Sequence, residues 1–384
     1  MLAEAVLETG ARPEELGSPG SEFDCRREMA SNLPVGGATP PTMELKDRLT
    51  VIVPAYNEAE TLADTLRSLR AQTLPAAEIV VVDDCSTDDT AEIAESFGVT
   101  VVRPPVNTGS KAGAQTFALD RVRTDLVMAV DADTTLAPDA IELLLAAFDD
   151  PEVAAACGLV LPRRVATVWE RGRYVEYLLA FSFFKRVQDL YGKPLISSGC
   201  FSIYRTAELH MIGGWSSRTM AEDMDLTWTL YTAGRKVRFL PEAVCYPVEP
   251  HNLEFLGKQL RRWSHGFIQN VRLHWRSVLH LGYLRSLVAV VFWDALLASL
   301  AYLVLIPVLA VAVDPLVLLA YLVDVPVVLV PVVWQAFSRH ETGRALVSFP
   351  SFFVLRLVNS VFFLRAVWRE LIVRRPLLDY QKGH

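Results

Sequence analysis

Residues 49–130 alternate short apolar runs with amphipathic segments. Leu49–Pro54 (LTVIVP), Ile79–Val82, Val99–Val102 and Leu126–Val130 have the length and composition of buried strands. Between them, Glu58–Gln72 places Leu62, Leu66 and Leu69 at helical spacing, and Lys111–Arg121 reads as a further helix. The second strand stops at Asp83-Asp84, where Ser86-Thr87-Asp88-Asp89 forms a turn leading into a helix N-cap. Strands alternating with helices predict an α/β domain with a mainly parallel sheet covered on both faces. Ligands of such sheets bind beyond the carboxyl ends of the strands, where the acidic residues of this chain fall.

The pattern changes after Pro162. Val175, Leu178, Leu179, Phe183, Val187 and Leu190 follow helical spacing, with Arg171, Arg173, Lys185 and Arg186 nearby. That fits a helix lying on a membrane surface or one facing the core, and spacing does not choose between them. Ser197–Tyr204 (SSGCFSIY) reads as a loop entering a strand. The C-terminal third has two apolar stretches long enough to span a bilayer, Ser286–Val313 and Leu316–Phe337, with Asp314-Pro315 turning between them. Asp294 and Asp324 lie inside these stretches, so they are expected to face protein or a polar path. A third stretch, Ala345–Val373, is flanked and interrupted by arginine, which favours an interfacial or re-entrant helix over a full crossing.

The organisation expected is therefore a tail over 1–46, a catalytic domain over 47–250, interfacial helices over 251–285 and a membrane region over 286–384. The tail is rich in Gly, Pro, Ser and Glu, has no apolar period, and reads as disordered. It lacks the basic-then-apolar pattern of a signal peptide, and Met43, just before the first strand, is a candidate start.

Composition narrows the class. The hydrophobic share of 52% is concentrated at the C-terminus, and the net charge of −7 argues against a broad nucleic-acid surface. Basic residues cluster from Lys258 to Arg285, just before the first apolar stretch, as on the cytoplasmic side of a membrane. The five cysteines (Cys25, Cys85, Cys157, Cys200, Cys245) show no CxxC pair, and histidines show no ligand spacing. A reduced compartment without structural disulfides or zinc follows.

Four signals carry chemistry. Asp131-Ala132-Asp133 follows a strand, and its oxygens suit Mg²⁺ or Mn²⁺ bridging the phosphates of a nucleotide sugar. Alone, an Asp-x-Asp triplet is as readily a turn. Asp83 can accept a hydrogen bond from the N3–H of uracil, whereas a capping role suits Asp84 better. Pro54-Ala55-Tyr56-Asn57-Glu58 ends the first strand and is placed to wrap base and ribose. Lys111 can pair with phosphate as a point charge. Glu222-Asp223 precedes the helix Met224–Ala233, where a carboxylate serves either as a general base for an acceptor hydroxyl or as a cap. Gln259, Arg262 and Trp263 sit at i, i+3 and i+4 and share a helix face. Arg there would stabilise a leaving diphosphate and Trp would stack on a sugar.

In order and separation, Val82-Asp83-Asp84, Asp131-Ala132-Asp133, Ala221-Glu222-Asp223 and Gln259-Leu260-Arg261-Arg262-Trp263 resemble glycosyltransferase family 2 over roughly residues 48–340. The likeness is to its membrane-embedded processive branch, which includes cellulose, chitin, hyaluronan and poly-N-acetylglucosamine synthases. The stretches Gly213–Leu226, Lys258–Gly266, Lys185–Gln188 and Ser198-Gly199-Cys200 look most like the last two. The resemblance implies a GT-A nucleotide-sugar-binding fold, C-terminal transmembrane and interfacial helices, and inverting transfer from a UDP-sugar. It implies that Asp83 contacts uridine and that Asp131 and Asp133 hold Mg²⁺ or Mn²⁺ and diphosphate. Asp223 would be the base. Gln259, Arg262 and Trp263 would hold diphosphate and acceptor sugar, with Ser198, Gly199, Cys200 and Glu222 on the acceptor side. This chain departs from the family in carrying Ala221 where Thr is usual, and no apolar span precedes Leu49.

The function expected is metal-dependent transfer of a hexose or N-acetylhexosamine from a UDP-sugar to a growing β-linked polysaccharide. The alternatives are a single-sugar transferase to a lipid acceptor and an inactive nucleotide-sugar-binding scaffold; nucleotidyl transfer is disfavoured because no glycine-rich phosphate loop is present. The partners expected are the UDP-sugar, a polysaccharide or glycolipid acceptor and membrane lipid, with a homo-oligomer left open and nucleic acid excluded. The location expected is a bacterial-type cell membrane, with the catalytic domain cytoplasmic.

Overall fold

The computed structural model describes residues 48–377; the expected tail, with Cys25, lies outside them. Eight strands form one sheet: β1 (Leu49–Ala55), β2 (Glu78–Asp83), β3 (Thr100–Val102), β4 (Leu126–Val130), β5 (Thr134–Leu136), β6 (Val153–Val160), β7 (Phe201–Arg205) and β8 (Lys236–Pro247), in the order β3-β2-β1-β4-β7-β6-β8-β5. The first half, β3-β2-β1-β4, is parallel. The second half is mixed: β7 runs antiparallel to β4 and β6, β8 is parallel to β6, and β5 is antiparallel to β8. The expectation of a mainly parallel sheet holds, with four of the seven pairings among the described residues parallel, and the antiparallel pairings of β5 and β7 make the sheet mixed.

Helices cover both faces: α1 (Leu62–Arg70), α2 (Thr90–Ser96), α3 (Lys111–Leu119), α4 (Ala140–Leu145), α5 (Val168–Leu179), α6 (Arg186–Asp189), α7 (Thr206–Ile212) and α8 (Glu222–Thr232). The pleat of β1 shows why. Val51 and Val53 join one core with Leu62, Leu66 and Leu69 of α1, while Ile52 joins the other with Val80, Val82 and Leu119. Helix α5 opens on a capping box: Thr167 Oγ1 accepts from the Glu170 amide, and the Glu170 carboxylate accepts from the Thr167 amide. A π-helical turn, Ala180–Lys185, joins it to α6, so the amphipathic pattern read from Val175 to Leu190 is a bent element. Its first part, with Val175 and Leu178, is core; Phe183, Phe184, Val187 and Leu190 are exposed.

The 28-residue α9 (Leu253–His280) follows, capped by Asn252, whose side chain accepts from the Phe255 amide. Then come α10 (Gly282–Leu300), a π-helical turn, α11 (Ile306–Ala312), a 3-10 helix over Pro315–Leu322, α12 (Val325–Ser338) and α13 (Thr342–Val367), which runs on through a π-helical turn to Ile372. Gly282–Ala312, Pro315–Ser338 and Thr342–Ile372 are long and apolar enough to cross a membrane. Asp314 turns the first pair, its carboxylate accepting from the Leu316 amide at 2.7 Å. Asp324 faces protein, as its cost in lipid demands: Tyr302 Oη donates to it and Arg356 pairs with it at 2.9 Å.

Helix α13 meets the α/β domain and α9 at its start, in its middle and past its end. At its start Glu341 accepts from Tyr174 Oη of α5 at 2.8 Å. In its middle, Ser351 and Leu355 approach Gly172 so closely that a Cβ there would meet them at 3.0 Å. Past its end Glu370 bonds to α9.

Candidate active site

Beyond the carboxyl ends of β1 and β4 lies a cleft of about 860 Å³. Pro54, Ala55, Tyr56 and Glu58 line it from the loop after β1, Asp131, Ala132 and Asp133 from the end of β4, and Lys111 from the first turn of α3. Ser198, Gly199 and Cys200 enter just before β7, Glu222 and Asp223 at the start of α8, and Gln259, Arg262 and Trp263 along α9. Of the residues proposed from the sequence to hold donor, acceptor or metal, Asp83 and Asn57 do not reach this wall.

Asp83 is fully buried behind it. Its Oδ1 accepts from the Ser86 amide at 2.9 Å, and its Oδ2 lies 3.4 Å from the Arg103 guanidinium with no hydrogen bond. Its neighbour Asp84 lines the cleft and accepts from the amide and hydroxyl of Thr108 at 2.7 and 2.8 Å. The loop after β1 is tied to that after β2: the Asn57 amide donates to Ser86 Oγ, and the Glu58 amide to Thr90 Oγ1.

Lys111 sits at the electrostatic centre. Its ammonium pairs with Asp131, lies 3.9 Å from Glu222 and donates to the Gly199 carbonyl at 3.0 Å. Burial works against that charge, but Asp131 and Glu222 outweigh it and raise the Lys111 pKa above the ordinary lysine value. Burial, and then the Asp223 carboxylate, push Glu222 upward, with Lys111 and Arg262 opposing.

Asp223 is held from two sides. Its Oδ2 accepts from the Gly199 amide and its Oδ1 from the Met224 amide, both at 2.9 Å. A Cβ on Gly199 would lie 3.0 Å from that Oδ2, so a larger residue in this turn would press on the carboxylate. Asp133 Oδ1 accepts from Thr134 Oγ1 at 3.0 Å. Among the described residues no three His, Cys, Asp or Glu side chains gather as a complete metal cage. Two carboxylates do suit a divalent ion that takes its other ligands from a diphosphate. Gln259 Oε1 is buried without a hydrogen bond in a wall built for a polar ligand.

Sequence reasoning missed a buried ionic group beside Trp263. Arg173 lies with its Cζ 4.3 Å from the Trp263 ring centroid, pairs with Glu249 at 3.2 Å and with Glu176, and donates to Tyr177 Oη at 2.6 Å. Tyr177 Oη in turn donates to Glu249 at 2.6 Å. Burial opposes the Arg173 charge, yet Tyr177, Glu176 and Glu249 raise its pKa. Removing one member of such a pair costs on the order of 3–5 kcal/mol. Arg173, Glu176 and Tyr177 at i, i+3 and i+4 were the available signal; Glu249 had none. The far wall was also unforeseen: Asp294 and Ser299 of α10 and Asn359 of α13 line the same cleft, and Asn359 Nδ2 donates to Glu176 at 3.1 Å.

Residues 50–210 match the family described as Glycosyl transferase family 2. The poly-beta-1,6-N-acetyl-D-glucosamine synthase of Staphylococcus aureus (strain COL) is 31% identical over 223 residues, 57% of this chain and 54% of that protein. The Staphylococcus epidermidis protein of the same name is 30% identical over 223 residues. The chain thus spans little more than half the length of these relatives. A mannosyltransferase from Pyrobaculum calidifontis, solved with GDP-Man and Mn2+, superposes with a TM-score of 0.57 at 20% identity, covering 92% of this chain and 95% of that one. That likeness is one of fold.

Proposed function

We propose that this chain, whose residues 50–210 match the family described as Glycosyl transferase family 2, is a membrane-bound inverting glycosyltransferase. Its reaction would extend a β-linked glycan from a UDP-sugar, with UDP-N-acetylglucosamine the first donor to test. The observation that carries the reading is convergence. Asp131, Asp133, Glu222, Asp223 and Lys111, with Gln259, Arg262 and Trp263, come from separate stretches of sequence to one cleft that membrane helices complete.

In this reading the donor lies across the ends of β1 and β4. Tyr56 and its neighbours flank the nucleoside, and Asp83, buried behind the cleft wall, holds the loop after β2 through the Ser86 amide. Asp131 and Asp133 would hold Mg²⁺ or Mn²⁺, which offsets the charge of the departing diphosphate. Lys111, Arg262 and the unsatisfied Gln259 Oε1 orient the phosphates and sugar. Trp263, kept in place by Arg173, offers its ring face to the acceptor sugar. Asp223 takes the proton of the acceptor hydroxyl as that oxygen bonds to the anomeric carbon. The bond from that carbon to the diphosphate breaks on the opposite side, so the configuration inverts. The Gly199 amide fixes the Asp223 carboxylate for this task.

Similarity to poly-beta-1,6-N-acetyl-D-glucosamine synthases supports a polymeric product. A second reading, one sugar passed to a lipid acceptor, draws on Asp294, Ser299 and Asn359, which open the cleft toward the membrane helices. One experiment addresses both. Purified protein in detergent is given radiolabelled UDP-N-acetylglucosamine with Mn²⁺ or Mg²⁺, and UDP release and product size are followed. The expected result is long product, with Asp223→Asn retaining UDP binding and losing at least about 100-fold in turnover, as removal of a general base does. Short glycolipid alone would favour the second reading. Undiminished UDP release by the variant would show that another group is the base.

A further inference from the structure

Asp223 and Trp263 stand on different helices, and something must hold α8 and α9 in fixed relation. One face of α9 does this. Gly266 packs against Ala221; Gln269 Oε1 accepts from the Met220 amide at 2.9 Å; Asn270 Nδ2 donates to Thr219 Oγ1 and the Ala221 carbonyl; His274 Nε2 bonds to Asp225 at 2.6 Å. The loop that delivers Glu222 and Asp223 is therefore built onto α9.

The orientation of Gln269 is decided elsewhere. An amide side chain can present its oxygen or its nitrogen to a neighbour. Here both amide hydrogens are taken, by Glu370 Oε1 at 2.8 Å and by the Leu377 carbonyl at 2.9 Å. Glu370 Oε1 and the Leu377 carbonyl both accept here, so together they draw the Gln269 nitrogen toward themselves and leave its oxygen for the Met220 amide. Glu370 is fully buried in the π-helical turn after α13, and it is itself fixed by His265 Nδ1 at 2.7 Å, the Leu377 amide at 3.1 Å and Arg272 at 3.4 Å.

We propose that Glu370 is a positioning residue for the transfer reaction: through Gln269 it holds the Met220–Asp223 loop in register with the Gln259-Arg262-Trp263 face, without touching donor or acceptor. This rests on the reading of Asp223 as base. The juxtaposition links residues 101 apart in sequence, from the third apolar helix to the catalytic loop.

The test is Glu370→Gln in the full-length protein. That side chain keeps the shape but is neutral and can donate as well as accept, so its hold on the Gln269 nitrogen weakens and only the Leu377 carbonyl still fixes that end of the amide. We expect kcat to fall about 10- to 100-fold with the KM for UDP-N-acetylglucosamine within about twofold of the parent, as misplacement of the base alone requires. Hydrogen exchange at the Met220 and Ala221 amides should quicken, while the amides of β1 and β4 keep their protection. A parent-like kcat, or slow exchange at Met220 unchanged, would overturn the inference. If Glu370→Gln does not fold, Gln269→Met decides by the same two measurements. The exchange readout does not depend on which residue is the base. An active Asp223→Asn would therefore defeat the functional reading alone, whereas an inactive Asp223→Asn beside a fully active Glu370→Gln would defeat only this inference.

Discussion

At the residue scale, burial in the cleft, and after it the neighbouring Asp223 carboxylate, disfavours the charge of Glu222. Its folded-state pKa is raised, so its stabilising contribution is complete below the ordinary value of 4.5 and is lost as pH rises through the folded value. At neutral pH the ionised carboxylate is therefore a burden. Glu222→Gln should raise the thermal midpoint in detergent at pH 7.5 by about 2–4 °C, the shift that roughly 1 kcal/mol gives a domain of this class. The gain should shrink as pH falls to 4.5. A lower midpoint at pH 7.5 would mean that the attraction of Lys111 outweighs burial. Most of this site was legible because strand-end acids and a helix-face triad are local patterns. Asp83 was misjudged in one respect, for a carboxylate after a strand can turn inward to its own loop, and only the Ser86 amide reveals that it did. The Arg173 and Glu249 pair was illegible because its partners are 76 residues apart and neither has a distinctive neighbourhood.

At the element scale, α9 is the member on which the others are hung. Gly266 marks the contact: a Cβ there would meet Ala221 Cβ at 2.6 Å and the Ala221 nitrogen at 2.8 Å. Ala221 is already among the smallest side chains available. Gly266→Ala should therefore destabilise by about 1–3 kcal/mol, the usual cost of overpacking, and depress UDP release further than stability alone explains. Gly343→Ala, where a Cβ meets open space, is the control. Equal midpoints and rates for the two variants would show that α9 and the loop yield easily. The first four strands and α1, α3 and α8 were legible within a few residues. Strands β6 and β8 were not: VAAACGLV at 153–160 is too alanine-rich to announce a strand, and it becomes one because it is buried between β7 and β8.

At the scale of the whole molecule, the third apolar helix decides the topology. Its length permits a crossing. Yet Glu341 at its start, Leu355 in its middle and Glu370 beyond its end all contact α5 or α9 of the catalytic unit. We propose that a helix so attached lies along that unit rather than crossing the membrane. Cysteines introduced at Gly343 and Arg374, both exposed, should react with a membrane-impermeant maleimide from the same side of sealed vesicles, against the background of the parent chain. Labelling from opposite sides would establish a third crossing. The arginines at 344, 365 and 369 hinted at this in the sequence, but the packing that supports it links distant segments and had no local trace.

The far wall of the cleft, contributed by Asp294, Ser299 and Asn359, has a bearing on when the protein becomes competent. Everything that would grip a nucleotide sugar is synthesised before residue 264, yet the chamber has no back until α10 and α13 have folded against it. A nascent polypeptide still short of those helices would possess the catalytic groups without an enclosed space in which to use them. On the proposed function, the packing of α10 and α13 against the cleft would then be the step that completes the chamber.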